Sequence, residues 1–201
     1  MLIKKYIPLI LLALIAPLAM SSCSEEDDIV DEFPNWQATN EAFVDHLTDS
    51  VNKLLADNPL RTDWKRLKSW SKLNSEAGTN ADYILVKVLE SSQETNASNP
   101  LYTDSVAVHY QGRLLPSTSY TEGYVFDQSY YGNFNFELSR PTKMKLSELI
   151  DGFVTAVLNM QRGDRWLVYI PYQLGYGASS SNSAVPSYST LVFDIALADF
   201  Y

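Results

Sequence analysis

Ser105-Val106-Ala107-Val108-His109-Tyr110-Gln111-Gly112-Arg113-Leu114-Leu115 alternates with a period of two, and that period decides the fold. In a strand successive side chains leave opposite faces of the pleat. Val106, Val108, Tyr110, Gly112 and Leu114 therefore share one face, and Ala107, His109, Gln111 and Arg113 share the other, which turns Tyr110 inward and His109 outward. Upstream, Ile84, Val86 and Val88 alternate with Leu85, Lys87 and Leu89, and the polar run from Ser91 to Pro100 reads as a loop. Downstream, short strands are expected over 124–127 and 134–138, and longer ones over 165–171 and 190–198. A single helix falls between them, from Asp151 to about Gln161, with Phe153, Val154 and Val157 on its apolar side and Gly163 placed to end it. Strands in series with one helix imply an α+β fold, a curved antiparallel β-sheet wrapped around one short α-helix.

Ahead of this domain, at 83–201, the spacing predicts an N-terminal helical extension over 36–82. Phe43, Val44, Leu47, Val51, Leu54 and Leu55 recur at helical intervals over about four turns, and Asn58-Pro59 stops the run. Trp64, Leu67 and Trp70, interleaved with Lys65, Arg66 and Lys68, predict a second short helix packed on the domain by its apolar side. The apolar stripe of the 36–57 helix offers a second use, as the face of a homodimer.

The chain of 201 residues is 46% hydrophobic and 19% charged, which suits a globular protein and excludes general disorder. Residues 1–22 stand apart: Lys4 and Lys5 precede an apolar run from Tyr6 to Met20, and Ser21-Ser22-Cys23 follows. A basic start, a short apolar core interrupted by Pro8 and Pro17, and small residues before a cut describe a secretory signal better than a spanning helix. Cys23 is the sole cysteine, so no intramolecular disulfide can form. Its position resembles that of the lipidated residue of a bacterial lipoprotein, although Met20 stands where such signals usually carry leucine. The acidic run Ser24-Glu25-Glu26-Asp27-Asp28 opens a tether over 23–35 and resembles the export signal of Bacteroidetes outer-membrane lipoproteins. Together these place the chain outside the cytoplasm, lipid-anchored to the outer membrane on its periplasmic or surface side. Loss of residues 1–22, which carry Lys4 and Lys5 and no acids, moves the formal charge from −9 to −11, so nucleic acid is not an expected partner.

Six fragments carry a resemblance to a known family. They are Val108-His109-Tyr110-Gln111-Gly112, Val125-Phe126-Asp127, Phe134-Asn135-Phe136, Leu149-Ile150-Asp151-Gly152-Phe153, Gly175-Tyr176-Gly177, and Val185-Pro186 followed by Thr190-Leu191-Val192-Phe193-Asp194. In this order, over about half of the chain, they resemble the FKBP-type peptidyl-prolyl cis-trans isomerases. The resemblance implies that fold, a rotation about Xaa-Pro bonds of polypeptide substrates, and no cofactor. It assigns the catalytic pocket to Tyr110, Phe126, Asp127, Ile150, Tyr176 and Phe193, with Phe134, Leu149, Phe153 and Val185 binding substrate. Within that assignment the Ile150 N–H and the Tyr176 hydroxyl hold substrate carbonyls, Asp127 orients the site's dipoles, and Val185 belongs to a flap over the ligand. Two departures stand out. Phe153 occupies a floor position that is commonly tryptophan in the family, and Ser179-Ser180-Ser181-Asn182-Ser183 makes an unusually polar flap.

Other chemistries find little in the sequence. His46 and His109 are the only histidines and have no spacing that would hold a metal, and no Gly-x-Ser-x-Gly elbow supports a serine nucleophile. Asn96-Ala97-Ser98 matches an N-glycan acceptor, and Asp49-Ser50-Val51 and Asp104-Ser105-Val106 resemble O-glycosylation motifs. From another class, the same fold could serve as a non-catalytic binding or chaperone module on a lipoprotein anchor.

Overall fold

In the computed structural model, which describes residues 31–94, 98–136, 138–179 and 184–201, the chain forms two α-helices and seven strands. In order these are α1 (Trp36–Asp57), β1 (Trp64–Lys68), β2 (Tyr83–Glu90), β3 (Ser105–Arg113), β4 (Val125–Gln128), β5 (Thr142–Lys145), α2 (Asp151–Val157), β6 (Arg165–Ile170) and β7 (Leu191–Phe200). All strands join one antiparallel sheet of order β1-β2-β6-β7-β3-β4, with β5 also pairing β3. The long strand β3 serves two short partners on one edge: Ser105–Val108 pair with β5 and Gln111–Arg113 with β4.

The registers carry the alternation of β3 across the sheet. Tyr110 stands opposite Ile195, which stands opposite Trp166, so these three share the inner face with Val86, Val168 and Phe193. Helix α2 covers this face, and Phe153, Ala156 and Val157 join the main core with it. The helix is shorter than expected. It ends at Val157, two turn bonds carry the chain to Met160, and Gly163 (φ 87°) serves the bend before β6. Gly152 fits close against β6, since a Cβ there would lie 2.2 Å from Ile170 Cγ2.

Helix α1 has the expected bounds and lies on the outer face, where Phe43 meets Tyr169 with ring centres 5.9 Å apart. Its buried line is Trp36, Asn40, Val44, Thr48 and Val51, more polar than the stripe read from the sequence. The tether's last residues are fastened as well: Glu32 accepts hydrogen bonds from the Ser117 hydroxyl and the Ser119 N–H, and Phe33 packs edge-on against Trp36.

The second expected helix is instead β1. Trp64 to Lys68 pair residue by residue with Lys87 to Tyr83, so alternate side chains reach opposite faces. On the outer face Trp64 stacks on Tyr169 and the Arg66 guanidinium lies 3.8 Å from the centre of the Tyr83 ring. On the inner face Lys65 Nζ lies over Trp166. The basic residues thus set their charged ends over aromatic rings, which a strand permits as readily as a helix.

His109 leaves the outer face, as its pleat position requires, yet it is only 1% exposed. Phe134 and Phe136 roof it, each with its ring centre 5.4 Å from the imidazole. The expected strand over 134–138 does not form: Phe134–Phe136 lie in an irregular segment. Among the described residues no helix is long and apolar enough to cross a membrane. Cys23, the signal segment and the Asn96-Ala97 part of the glycan motif lie outside the described residues.

Candidate active site

The inner face opens at one end into a cavity of about 140 Å³ lined by Tyr110, Asp127, Met144, Glu148, Leu149, Ile150, Phe153, Tyr176 and Phe193. Each wall has a local cause. Tyr110 and Phe193 are inner-face residues of the paired strands β3 and β7. Leu149 closes a short 3₁₀ turn through a bond to the Leu146 carbonyl, and Ile150, extended at φ −64° and ψ 147°, is the residue from which α2 starts. Phe153 then enters from the first turn of α2 as the floor, 4% exposed, edge-on to Phe193 at 5.4 Å and to Tyr110 at 6.2 Å.

Phe126 supports the wall from behind. Its ring stands perpendicular to Phe193 at 5.5 Å and close to perpendicular to Tyr176 at 6.4 Å. Gly112 leaves room for this packing, because a Cβ there would meet Phe126 at 2.6 Å and Phe193 at 2.7 Å. Edge-to-face ring pairs of this kind hold their geometry by quadrupole attraction as well as by contact.

The polar part is at the rim. The Tyr110 hydroxyl donates to Asp127 Oδ2 at 2.9 Å. Burial, and after it that carboxylate, push the Tyr110 phenol well above its ordinary value, so it stays a donor at any physiological pH. Tyr176, 40% exposed, is also raised, by burial and by the charge of Asp127. Asp127 itself is exposed, so its presence does not rest on the cost of burying a carboxylate; the bond to Tyr110 gives it a place. The Ile150 N–H donates to no backbone carbonyl among the described residues.

The structure brings Tyr110, Asp127, Leu149, Ile150, Phe153, Tyr176 and Phe193 together, with Phe126 behind them. Two expected substrate-binding residues stand elsewhere. Phe134 is on the far side of the sheet, against His109, Tyr130 and the Arg165 guanidinium, because the outer face needed a roof over a buried imidazole. Val185 is 1% exposed and packed in the main core, beneath its loop and away from the cavity lining. Met144 and Glu148 line the cavity without having been foreseen. A signal existed for Met144: Thr142 and Met144 alternate with Lys143 and Lys145 over the four residues of β5.

The family model for FKBP-type peptidyl-prolyl cis-trans isomerase matches residues 96–198. The chain belongs to this family. It is 39% identical over 98 residues to a macrophage infectivity potentiator of Trypanosoma cruzi, covering 49% of this chain and 44% of the relative. It is 34% identical over 98 residues to an FKBP-type 22 kDa peptidyl-prolyl cis-trans isomerase of Escherichia coli, covering 49% and 42%. The chain thus spans less than half the length of these curated relatives. Among solved structures, a peptidyl-prolyl cis-trans isomerase from Pseudomonas syringae pv. tomato superposes with a TM-score of 0.50 at 26% identity, over 76% of this chain and 91% of that one. All nine residues that line the cavity fall within the segment matched to the FKBP family.

Proposed function

We propose that this FKBP-family protein catalyses cis-trans rotation about Xaa-Pro bonds in exported or envelope polypeptides, from a lipid anchor at Cys23. The observation that carries the reading is the aromatic cavity with one hydrogen-bonded Tyr110–Asp127 pair at its rim. At about 140 Å³ it approaches the size of an apolar cavity of about 150 Å³ that takes up benzene, so a pyrrolidine ring fits.

The planar amide resists rotation with a barrier of about 18–20 kcal/mol because resonance holds it flat. No bond needs to form or break. The planar form carries more charge separation than the twisted one and is better hydrated, so transfer into a dry aromatic site raises it relative to the twisted form. A donor fixed on the substrate carbonyls adds orientation. A rate gain on the order of 10⁵ requires about 7 kcal/mol, within reach of desolvation and orientation together. Phe153, Phe193, Leu149 and Ile150 supply the dry walls, the Ile150 N–H and the Tyr176 hydroxyl would hold substrate carbonyls, and Asp127 fixes the Tyr110 dipole. Phe153 at the floor leaves more depth than an indole would, which favours weaker binding of macrolides such as rapamycin.

Because the apolar side of α1 rests on its own sheet, the reading includes a chain that works without dimerising through that helix. Sedimentation of the chain from Ser24 onward tests this part, and a dimer lost on mutation of α1 would overturn it. Incorporation of labelled fatty acid, abolished in Cys23→Ala, tests the anchor.

For the activity, line broadening on an Ala-Pro peptide with the same soluble chain is decisive. Acceleration by wild type that falls in Asp127→Ala supports an isomerase. Peptide binding with no faster exchange would make the protein a binding module instead.

A further inference from the structure

After β6, residues 171–179 carry Tyr176 to the rim of the cavity, and residues 184–190 lead into β7; helix α1 holds both of these stretches, the two feet of the connection. At the first foot, the Tyr172 hydroxyl donates to Glu41 at 3.2 Å. At the second, the Trp36 indole N–H donates to Ser189 Oγ at 2.8 Å, and the Thr190 N–H donates to Asn40 Oδ1 at 2.6 Å. Ser189 in turn donates to the Pro186 carbonyl, and Asn40 donates to the Trp36 carbonyl, so both anchors are themselves fixed.

The bond at the first foot is exposed, whereas the two at the second foot are buried. Asn40 is fully buried, Trp36 is 8% exposed and Ser189 is 3% exposed. A buried polar group left without its partner is costly, so the second foot is tightly specified. The two feet also meet each other: the Tyr172 and Tyr188 rings are 5.1 Å apart, the Gly177 N–H bonds to the Tyr172 carbonyl, and the Tyr188 N–H bonds to the Gly177 carbonyl. Tyr188 sits at φ 63°, a region costly for a side chain of its size, and it persists there because these contacts fix it. Tyr176 lies between the Tyr172 and Tyr188 feet, one residue from the Gly177 bond.

We propose that the first two turns of α1 are a positioning element for the isomerase site. Trp36 and Asn40 act through residues 186–190, and Glu41 acts through Tyr172, to fix Tyr176 over the cavity. None of the three lines the cavity, so they are positioning residues and not catalytic ones. The inference rests on reading that cavity as a prolyl site. It gives the N-terminal helix a role within its own chain, setting how well a bound proline peptide is held.

The test compares Trp36→Phe, which keeps a ring and removes the N–H, with Asn40→Ala, which removes the acceptor for Thr190. Val51→Ala, near the other end of α1, serves as a control for general destabilisation. Two readouts are taken well below every melting temperature: kcat/KM on a prolyl peptide, and amide hydrogen exchange over 172–179 and 184–190. Trp36→Phe is expected to lower kcat/KM by about 3- to 10-fold, the range set by one hydrogen bond, and to speed exchange in the loop. Asn40→Ala is expected to act in the same direction on both readouts, and Val51→Ala to match wild type in both despite a lower melting temperature. Unchanged loop exchange in Trp36→Phe and Asn40→Ala, or equal effects from Val51→Ala, would overturn the proposal. If wild type proves inactive, the isomerase reading fails on its own, and the exchange measurement still decides whether α1 holds the loop.

Discussion

Tyr110 and Asp127 meet through a single hydrogen bond at the rim, and removing one oxygen isolates its effect. Tyr110→Phe keeps the ring against Phe153 and Phe193 but leaves Asp127 without its donor. We expect kcat/KM on a prolyl peptide to fall about tenfold, about 1.4 kcal/mol in the barrier, with a loss of folding stability of about 1 kcal/mol or less because Asp127 is exposed. The same assay run from pH 6 to 8 is expected to be flat, since the phenol is held far above its ordinary range and no group donates or accepts a proton in the rotation. A bell-shaped profile would contradict that mechanism. Gly112 makes a steric point at the same scale. In Gly112→Ala the new methyl meets the Phe126 and Phe193 rings at under 3 Å, so the walls must shift. The expected cost is about 1–3 kcal/mol in denaturant unfolding, together with weaker catalysis.

Where α2 crosses β6, the fit between two elements rests on Gly152 and Ile170. Gly152→Ala is expected to destabilise by about 1–3 kcal/mol through overpacking. Because the clash is with the Ile170 side chain, the double variant with Ile170→Ala should be more stable than the sum of the two single changes, by a coupling of about 0.5–3 kcal/mol. Strict additivity in chemical denaturation would show that α2 yields without touching β6. The same scale separates what the sequence disclosed from what it hid. Strand β3 and helix α1 were legible because each repeats its period over two or more turns or pleats, long enough to outweigh local noise. β1 was not, since Trp64, Leu67 and Trp70 mimic a helical stripe over few residues, and only pairing with β2 shows that Arg66 and Lys65 serve opposite faces. The site residues were legible by another route, through the six fragments that resemble the family, since no period marks Asp127, Ile150 or Tyr176. Phe134 and Val185 were misplaced because they lie in irregular segments, whose direction depends on contacts distant in sequence.

At the scale of the whole molecule, the sheet is covered on both faces, and the outer cover encloses an ionisable ring. His109 is buried under Phe134 and Phe136, and its Nδ1 has no hydrogen-bond partner among the described residues. Burial holds its pKa below the ordinary value of 6.5. An unfolded chain therefore takes up a proton near pH 6.5 that the folded chain refuses. The sign follows from linkage: the unfolded state binds more protons, so stability present above pH 6.5 is lost as pH falls toward the native pKa, by at most about 1.4 kcal/mol per pH unit for one proton. Asp82 and Asp199, whose pKa values are lowered from 3.8 by hydrogen bonds to the Thr79 and Phe200 backbone, contribute their loss at lower pH, near and below 4. Glu32, lowered from 4.5 by its bonds from Ser117 and Ser119, acts mainly below pH 5 as well, so the interval from pH 7 to 5 reports chiefly the histidine. Wild type is expected to lose melting temperature across it, while His109→Phe, which keeps an aromatic ring under Phe134 and Phe136, should hold a flat profile there and rejoin the wild-type decline below pH 4. Arg165, whose guanidinium lies over the Phe134 ring, has its pKa pushed up from an already high value by its bond to Asp194, so it keeps its charge throughout that interval and does not supply the slope. A wild-type profile as flat as that of His109→Phe would mean that solvent reaches the imidazole, and that the roof of Phe134 and Phe136 opens in solution.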